Sequence, residues 1–224
     1  MSGFGGAFTV KTGISVVTTT WNEKENIPKL IPLIRTVLAK VPHEIIVIDD
    51  NSSDGTIDVA KRLADIAIAK PREGQTKGLL YGMKLAQYPV IVTIDADLEN
   101  NPECIPELVA QIGEFDVVVA SRTKIPRFSE KLASKTLGKL FGVSDSFSNY
   151  RAFKKDVVSI LNLKGGETFG AEFLVIAKKN KLKIGEVLYE APPRRANPRI
   201  GGTFRANLRI LWALVKCLVL FWFS

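Results

Sequence analysis

One histidine and two cysteines in 224 residues leave little material for several common chemistries. His43 sits in a Pro-His-Glu turn, so a zinc site has almost no ligands and a His-based triad has no base. Hydrolases of the Ser-His-Asp type are excluded. Cys104 and Cys217 lie far apart in sequence. They form no CxxC redox or zinc motif and imply no disulfide framework, which fits a reducing compartment. No GxxxxGK[ST] occurs, which excludes a P-loop, and the one early glycine cluster, at 3–6, follows no strand, which excludes a Rossmann fingerprint. Residues 1–13 lack the apolar run of a secretory signal and read as a flexible lead-in. No internal repeat or low-complexity tract is present.

What is there suits one globular domain: 46% hydrophobic and 24% charged residues are too apolar for a disordered chain. A formal charge of +8 predicts an anionic partner, and composition alone does not choose among nucleic acid, phospholipid and a phosphorylated small molecule. From Gly13 onward, short β-branched runs alternate with amphipathic stretches, the pattern of an α/β fold with a mostly parallel sheet flanked by helices. Strands are predicted at 14–20, 44–49, 65–69, 90–94, 116–120 and 183–187, with an extended piece at 150–153. Helices are predicted after Asn22, which reads as an N-cap, after Asp54-Gly55-Thr56, and at 75–87, 102–112 and 170–179. Pro28 and Pro32 limit the regularity of the first of these. A basic amphipathic segment at 128–141 and a Pro/Arg/Gly loop at 192–202 complete the body.

Polar clusters recur where strands end: Asp49-Asp50-Asn51-Ser52, Asp95-Ala96-Asp97-Leu98-Glu99 and Ser121-Arg122. Open α/β sheets bind ligands beyond the carboxyl ends of their strands, so these clusters should converge on one site. Asp95 and Asp97, one residue apart just past a strand, suit a hard divalent cation such as Mg²⁺ or Mn²⁺. Asp49, on a buried strand end, needs a partner, a role that ribose hydroxyls or base N–H groups would fill. Arg151 has two readings open, a carboxylate partner or a phosphate, and Glu172 is equally ambiguous.

The last stretch, 208–223, is mostly apolar but interrupted by Arg209 and Lys216, with Arg205 just before it. A spanning helix usually needs about 20 apolar residues, so this run is marginal. An amphipathic helix lying at a membrane surface is expected, with a core or dimer helix as the alternative.

Three motifs in order, Thr18-Thr19-Thr20-Trp21-Asn22-Glu23, Ile48-Asp49-Asp50-Asn51-Ser52-Ser53-Asp54-Gly55-Thr56 and Asp95-Ala96-Asp97-Leu98, resemble the family 2 glycosyltransferases of GT-A fold. Within them the chain is most similar to the dolichyl-phosphate mannose and glucose synthases. The resemblance implies a GT-A catalytic domain over 14–203, followed by an interfacial helix over 204–224. It implies inverting transfer of a hexose, mannose or glucose, from a nucleotide sugar (GDP-mannose or UDP-glucose) to dolichyl or polyprenyl phosphate. Thr19, Trp21, Glu23, Val47, Asp49, Asp95, Ala96 and Asp97 match positions that hold the nucleotide sugar; the family commonly has Pro and Tyr where Thr19 and Trp21 stand. Asp97 and Glu99 match metal-ligand positions for Mg²⁺ or Mn²⁺, with Glu99 where the synthases often carry Gln. Arg122, Arg199 and, on the amphipathic segment, Lys131 match basic positions that meet the acceptor phosphate, with Lys135 close behind. The implied catalytic set is Asp97, Arg122 and Arg199.

A phosphate monoester has a second pKa of about 6, so such an acceptor needs no strong general base. A hydroxyl acceptor would need one, and Glu99 and Asp97 are the candidates. A non-enzymatic basic module is the remaining alternative. Nucleic acid is not an expected partner, because acids gathered at strand ends would repel phosphate without a cation between. A peripheral enzyme on the cytoplasmic face of a membrane is expected, where nucleotide sugars are found.

Overall fold

The computed structural model describes residues 13–124, 131–132, 134–163, 169–192 and 203–223, with side chains undescribed for 203–210 and 223. Along it run β1 (Ile14–Thr20), α1 (Ile27–Val37), β2 (His43–Asp49), α2 (Thr56–Leu63), β3 (Ile66–Ala69), α3 (Gln75–Leu85), β4 (Val90–Thr93) and α4 (Ile105–Ala110). Then follow β5 (Val117–Arg122), β6 (Arg151–Lys154), α5 (Phe169–Lys179), β7 (Ile184–Tyr189) and α6 (Thr203–Phe223). The lead-in, Gly13 apart, and the loop from 193 to 202 that carries Arg199 lie outside the described residues.

Seven strands form one sheet in the order β3-β2-β1-β4-β6-β5-β7, parallel except where β6 runs against both β4 and β5. Alternate side chains serve opposite faces, as a period of two requires. Ile14, Val16, Ile45, Val47, Val92 and Val118 pack with residues of α1, α2 and α4. Val17, Ile46, Ile48, Ile91, Val117, Val119 and Phe153 pack with residues of α3, α5 and α6. The predicted layers are therefore present. Because β2 and β4 flank β1 on opposite sides, the chain reverses its winding at β1, and a crevice opens beyond the ends of these three strands.

Two glycines let α3 lie close over that crevice. A Cβ at Gly82 would stand 2.5 Å from Val17 Cγ1, and one at Gly78 would stand 2.7 Å from Thr19 Cγ2. Only glycine permits this approach, which sets the start of α3, Gln75, near the end of β4.

Several expectations are corrected. Asn22 does not cap α1, which begins at Ile27 behind Asn26. Asn22 instead takes a left-handed backbone (φ 56°), donates its N–H to Ser52 Oγ at 2.8 Å and accepts from Ser53 N at 3.0 Å. The end of β1 is thereby tied to the loop after β2. Pro32 stands inside α1 on its exposed side, as does Pro28, whose carbonyl loses its helical partner there. The helix predicted at 102–112 is a 3₁₀ turn, Pro102–Cys104, leading into the shorter α4. The segment predicted as one amphipathic helix at 128–141 includes a π turn, Ser134–Gly138, then a helical turn, Lys139–Phe141; residues 125–130 and 133 lie outside the described residues.

α6 packs Ala213, Leu214 and Cys217 inward, and Phe221 meets Phe141 edge to face at 6.3 Å. Its opposite face exposes Trp212, Val215, Val219 and Trp222. No described helix is long and apolar enough to cross a membrane. Cys104 and Cys217 are both free and buried.

Candidate active site

At the end of β1, Trp21 is partly exposed beneath the Arg72 guanidinium, whose carbon lies 3.6 Å from the ring centroid. Glu23 is buried, donates its N–H to Thr56 Oγ1 at 2.9 Å and accepts from Asn26 Nδ2 at 2.6 Å. Thr19 faces α3 at Gly78. These three residues lie along one rim.

Asp49 and Asp50 end β2, and the structure gives them different duties. Asp49 is fully buried, and Thr20 Oγ1 (2.8 Å), Ser52 Oγ (2.6 Å) and Ser52 N (2.8 Å) all donate to it. The partner expected from a ligand is thus found within the protein. Asp50 takes Lys70 Nζ at 2.5 Å and the N–H groups of Glu73 and Gly74 at 2.9 Å each. Burial works to raise its pKa, but Lys70 and the two N–H groups outweigh it and hold the carboxyl below its ordinary value. Asp50 therefore pins the loop that launches α3. Val47 is buried in the core, so its side chain faces away from the crevice, and Ala96 is buried too.

The acids after β4 form the centre. Asp95 accepts from Gln75 Nε2 at 2.6 Å, Asn100 Nδ2 at 3.3 Å and Asn149 Nδ2 at 3.5 Å. Burial still raises its pKa, against the pull of these amides and of Arg122. Asp97 is reached by solvent, yet the protein around its carboxyl, and then the charges of Asp95, Glu99 and Glu23, push it up to about 7. The N–H of Glu99 donates to it at 3.0 Å. Leu98 between them takes φ 63°, a strained backbone for a bulky residue and one that clusters at functional sites. The carboxylates of Asp95, Asp97, Glu99 and Glu23 thus lie close enough to repel at Asp97. Among the described residues no three of His, Cys, Asp and Glu form a metal cage on their own.

Arg122 ends β5, and its Nε donates to the buried Asp145 at 2.7 Å. Arg151, left open between a carboxylate and a phosphate, meets neither directly. It is fully buried on β6, donates to the carbonyls of Gly170 (3.1 Å) and Ser148, and its guanidinium carbon lies 4.8 Å from the Phe173 ring centroid. Glu172 is buried on α5. Lys131 and Lys135 are exposed, and no hydrogen bond or ion pair among the described residues ties Lys131 to the acids. The sequence reading overlooked Gln75, Asn100, Asn149, Asp145 and Arg72. Gln75 follows Gly74 at a helix start, a weak local cue; the others carried none.

The order of motifs along the chain can be compared with known proteins. Residues 15–163 match the model of glycosyl transferase family 2. The chain belongs to this family. Among curated relatives of this family 2 chain is a dolichol-phosphate mannosyltransferase of Pyrococcus furiosus, 30% identical over an alignment covering 91% of this chain and 64% of the relative. An undecaprenyl-phosphate 4-deoxy-4-formamido-L-arabinose transferase of Pectobacterium atrosepticum is 33% identical over 66% of this chain and 50% of its own length. The family 2 chain thus spans between half and two thirds of the length of these relatives. A crystal structure of glucosyl-3-phosphoglycerate synthase from Mycobacterium tuberculosis, in complex with Mn²⁺, UDP and glucosyl-3-phosphoglycerate, superposes with a TM-score of 0.77 at 21% identity. It covers 94% of this chain and 81% of the synthase. The likeness establishes the GT-A fold.

Proposed function

We propose that this chain transfers a hexose, mannose or glucose, from a nucleoside diphosphate sugar to dolichyl or polyprenyl phosphate, inverting the anomeric centre. The observation that carries this reading is the group of carboxylates beyond β4: Asp95, raised by burial, Asp97, raised by burial and by the charges of its neighbours, and Glu99 two residues on. Relatives named for transfer involving dolichol phosphate and undecaprenyl phosphate support the acceptor class.

The donor set is all oxygen, which fits Mg²⁺ or Mn²⁺. Asp97 and Glu99 would hold the ion, which supplies charge neutralisation for a departing nucleoside diphosphate. Thr19, Trp21 and Glu23 would line the nucleotide, with Asp49 building the floor, Val47 supporting it from the core, and Asp95 and Ala96 forming the edge nearest the ribose. Trp21, backed by Arg72, offers an aromatic face for a base. Arg122, Lys131 and Arg199 would meet the acceptor phosphate. These residues orient an already ionised oxygen for in-line attack and exclude water, so no strong base is required.

The exposed stripe of α6, Trp212, Val215, Val219 and Trp222, would lie in the interface of the cytoplasmic leaflet, with basic residues toward head groups. A second reading has one observation behind it: a carboxyl near 7, as at Asp97, is suited to deprotonate a hydroxyl acceptor. Transfer of labelled sugar from GDP- and UDP-sugars into dolichyl phosphate, with Mg²⁺, Mn²⁺ or chelator, tests both. Metal-dependent label in the lipid phase supports the first; nucleotide-sugar binding without lipid product moves the acceptor to a hydroxyl.

A further inference from the structure

Several acids of this chain are hydrogen-bonded to cations, unlike Asp49, whose donors are neutral. Asp50 has Lys70 at 2.5 Å, Asp116 has Lys154 at 2.7 Å and Asp145 has Arg122 at 2.7 Å. Asp95 does not follow that pattern. Its hydrogen-bond donors are three neutral amides from three separate parts of the fold: Gln75 opening α3, Asn100 in the loop after β4, and Asn149 just before β6.

The amides are themselves held. Asn149 Nδ2 donates to Gln75 Oε1 at 3.1 Å, and the backbone carbonyl of Asn149 accepts from Thr93 Oγ1 at 2.6 Å. Tyr189 Oη donates to Asn100 Oδ1 at 2.6 Å. Such a cage fixes where the carboxylate points. Being neutral, it adds no positive charge of its own, whereas a hydrogen-bonded lysine or arginine would bring one. Asp97 and Glu99, two and four residues on, share that field.

We infer that Gln75, Asn149 and Asn100, the last oriented by Tyr189, are positioning residues that hold the Asp95 carboxyl rigid toward a metal-bound nucleoside diphosphate. This rests on the glycosyltransferase reading above and extends it to residues outside the family-like motifs. Positioning shells around a metal site typically govern its affinity by about 10- to 100-fold.

Manganese binding by the full chain in the presence of UDP or GDP, followed by electron paramagnetic resonance of the free ion, tests the inference beside thermal melting. Gln75→Lys sets an ammonium against Asp95, Gln75→Leu removes the donor, and Tyr189→Phe releases Asn100 without altering any group that touches Asp95. Manganese affinity is expected to fall about ten-fold or more in Gln75→Lys and by a smaller factor in the other two. Melting of Gln75→Lys should hold or rise, since the new ion pair is structurally favourable. A purely structural role would not move melting and affinity in opposite directions. Wild-type affinity in folded Gln75→Lys and Tyr189→Phe overturns the inference alone. Failure of the unaltered chain to bind manganese with either nucleotide overturns the glycosyltransferase reading and this inference with it.

Discussion

Arg122 Nε donates a hydrogen bond to Asp145 Oδ2 at 2.7 Å, joining the end of β5 to the loop that precedes β6. The Asp145 side chain is 3% exposed and that of Arg122 20%, so the carboxylate is the buried anchor and the guanidinium its wetter partner. Asp145 is held in turn, its N–H donating to Ser121 Oγ at 3.1 Å. The Arg122 guanidinium is thus aimed by a carboxylate 23 residues away.

Arg122→Ala should therefore damage two properties together. It removes the charge proposed to meet the acceptor phosphate and strands Asp145, costing about 2 kcal/mol, within the range for a hydrogen bond between charged groups with some water contact. Sugar transfer and urea denaturation measured on one preparation check this. Lost transfer with unchanged stability would show that Asp145 does not depend on Arg122.

Asp97→Asn has the opposite stability signature. Replacing one carboxyl of a crowded set relieves repulsion from Asp95, Glu99 and Glu23, so the metal-free variant should melt at the same temperature or higher. Metal-dependent turnover should drop about 10³-fold, since a bound ion contributes several kcal/mol to charge stabilisation. Turnover near that of the unaltered chain would remove Asp97 from the metal site.

Acid should weaken the loop before α3. The pKa of Asp50 is lower in the folded chain than in the unfolded one, so its stabilising contribution is complete above the unfolded value and is lost as pH falls through the folded value. Asp116 behaves alike, held down chiefly by its hydrogen bond from Lys154. The stability difference between the unaltered chain and Asp50→Asn should accordingly be large at neutral pH and shrink in strong acid. Urea midpoints at both pH values measure it.

Gly78→Ala probes the seating of α3. Its Cβ would press on Thr19 Cγ2, and overpacking of this kind costs about 1–3 kcal/mol. Lifting α3 also draws Gln75 from Asp95, so nucleotide binding should weaken along with melting. Calorimetric titration with UDP or GDP and manganese reads the second effect.

Trp212 and Trp222 are 72% and 70% exposed, so changing both to Ser should leave the melting temperature within a few degrees. Binding to vesicles containing anionic lipid should fall at least several-fold. Equal vesicle binding would assign the stripe another occupant.

Much of the fold was legible before any coordinates. Strands β1, β2 and β4 stand within about a residue of their predicted positions, because apolar runs bounded by polar residues are local signals. The arrest of each strand in acids was local as well. Asn22 misled because a residue suited to capping is equally suited to a left-handed turn, and the loop at Ser52 and Ser53 decided between them. Asp49 misled in a similar way. A buried carboxylate must be satisfied, but its chemistry does not say whether a ligand or Thr20 and Ser52 will do so.

The sequence by itself determined the alternating α/β order, the carboxylates at the strand ends and the family, since periodicity and motif order are properties of neighbouring residues. Tertiary structure alone decided which groups meet. Gln75 reaches Asp95 across 20 residues and Asn149 does so across 54, through the close seating of α3 and the antiparallel entry of β6 between β4 and β5. Such contacts depend on strand order and on where glycine lets a helix approach, and a local pattern encodes neither. The same geometry separates two adjacent acids, giving Asp50 a lysine to neutralise it and Asp49 a pair of hydroxyls.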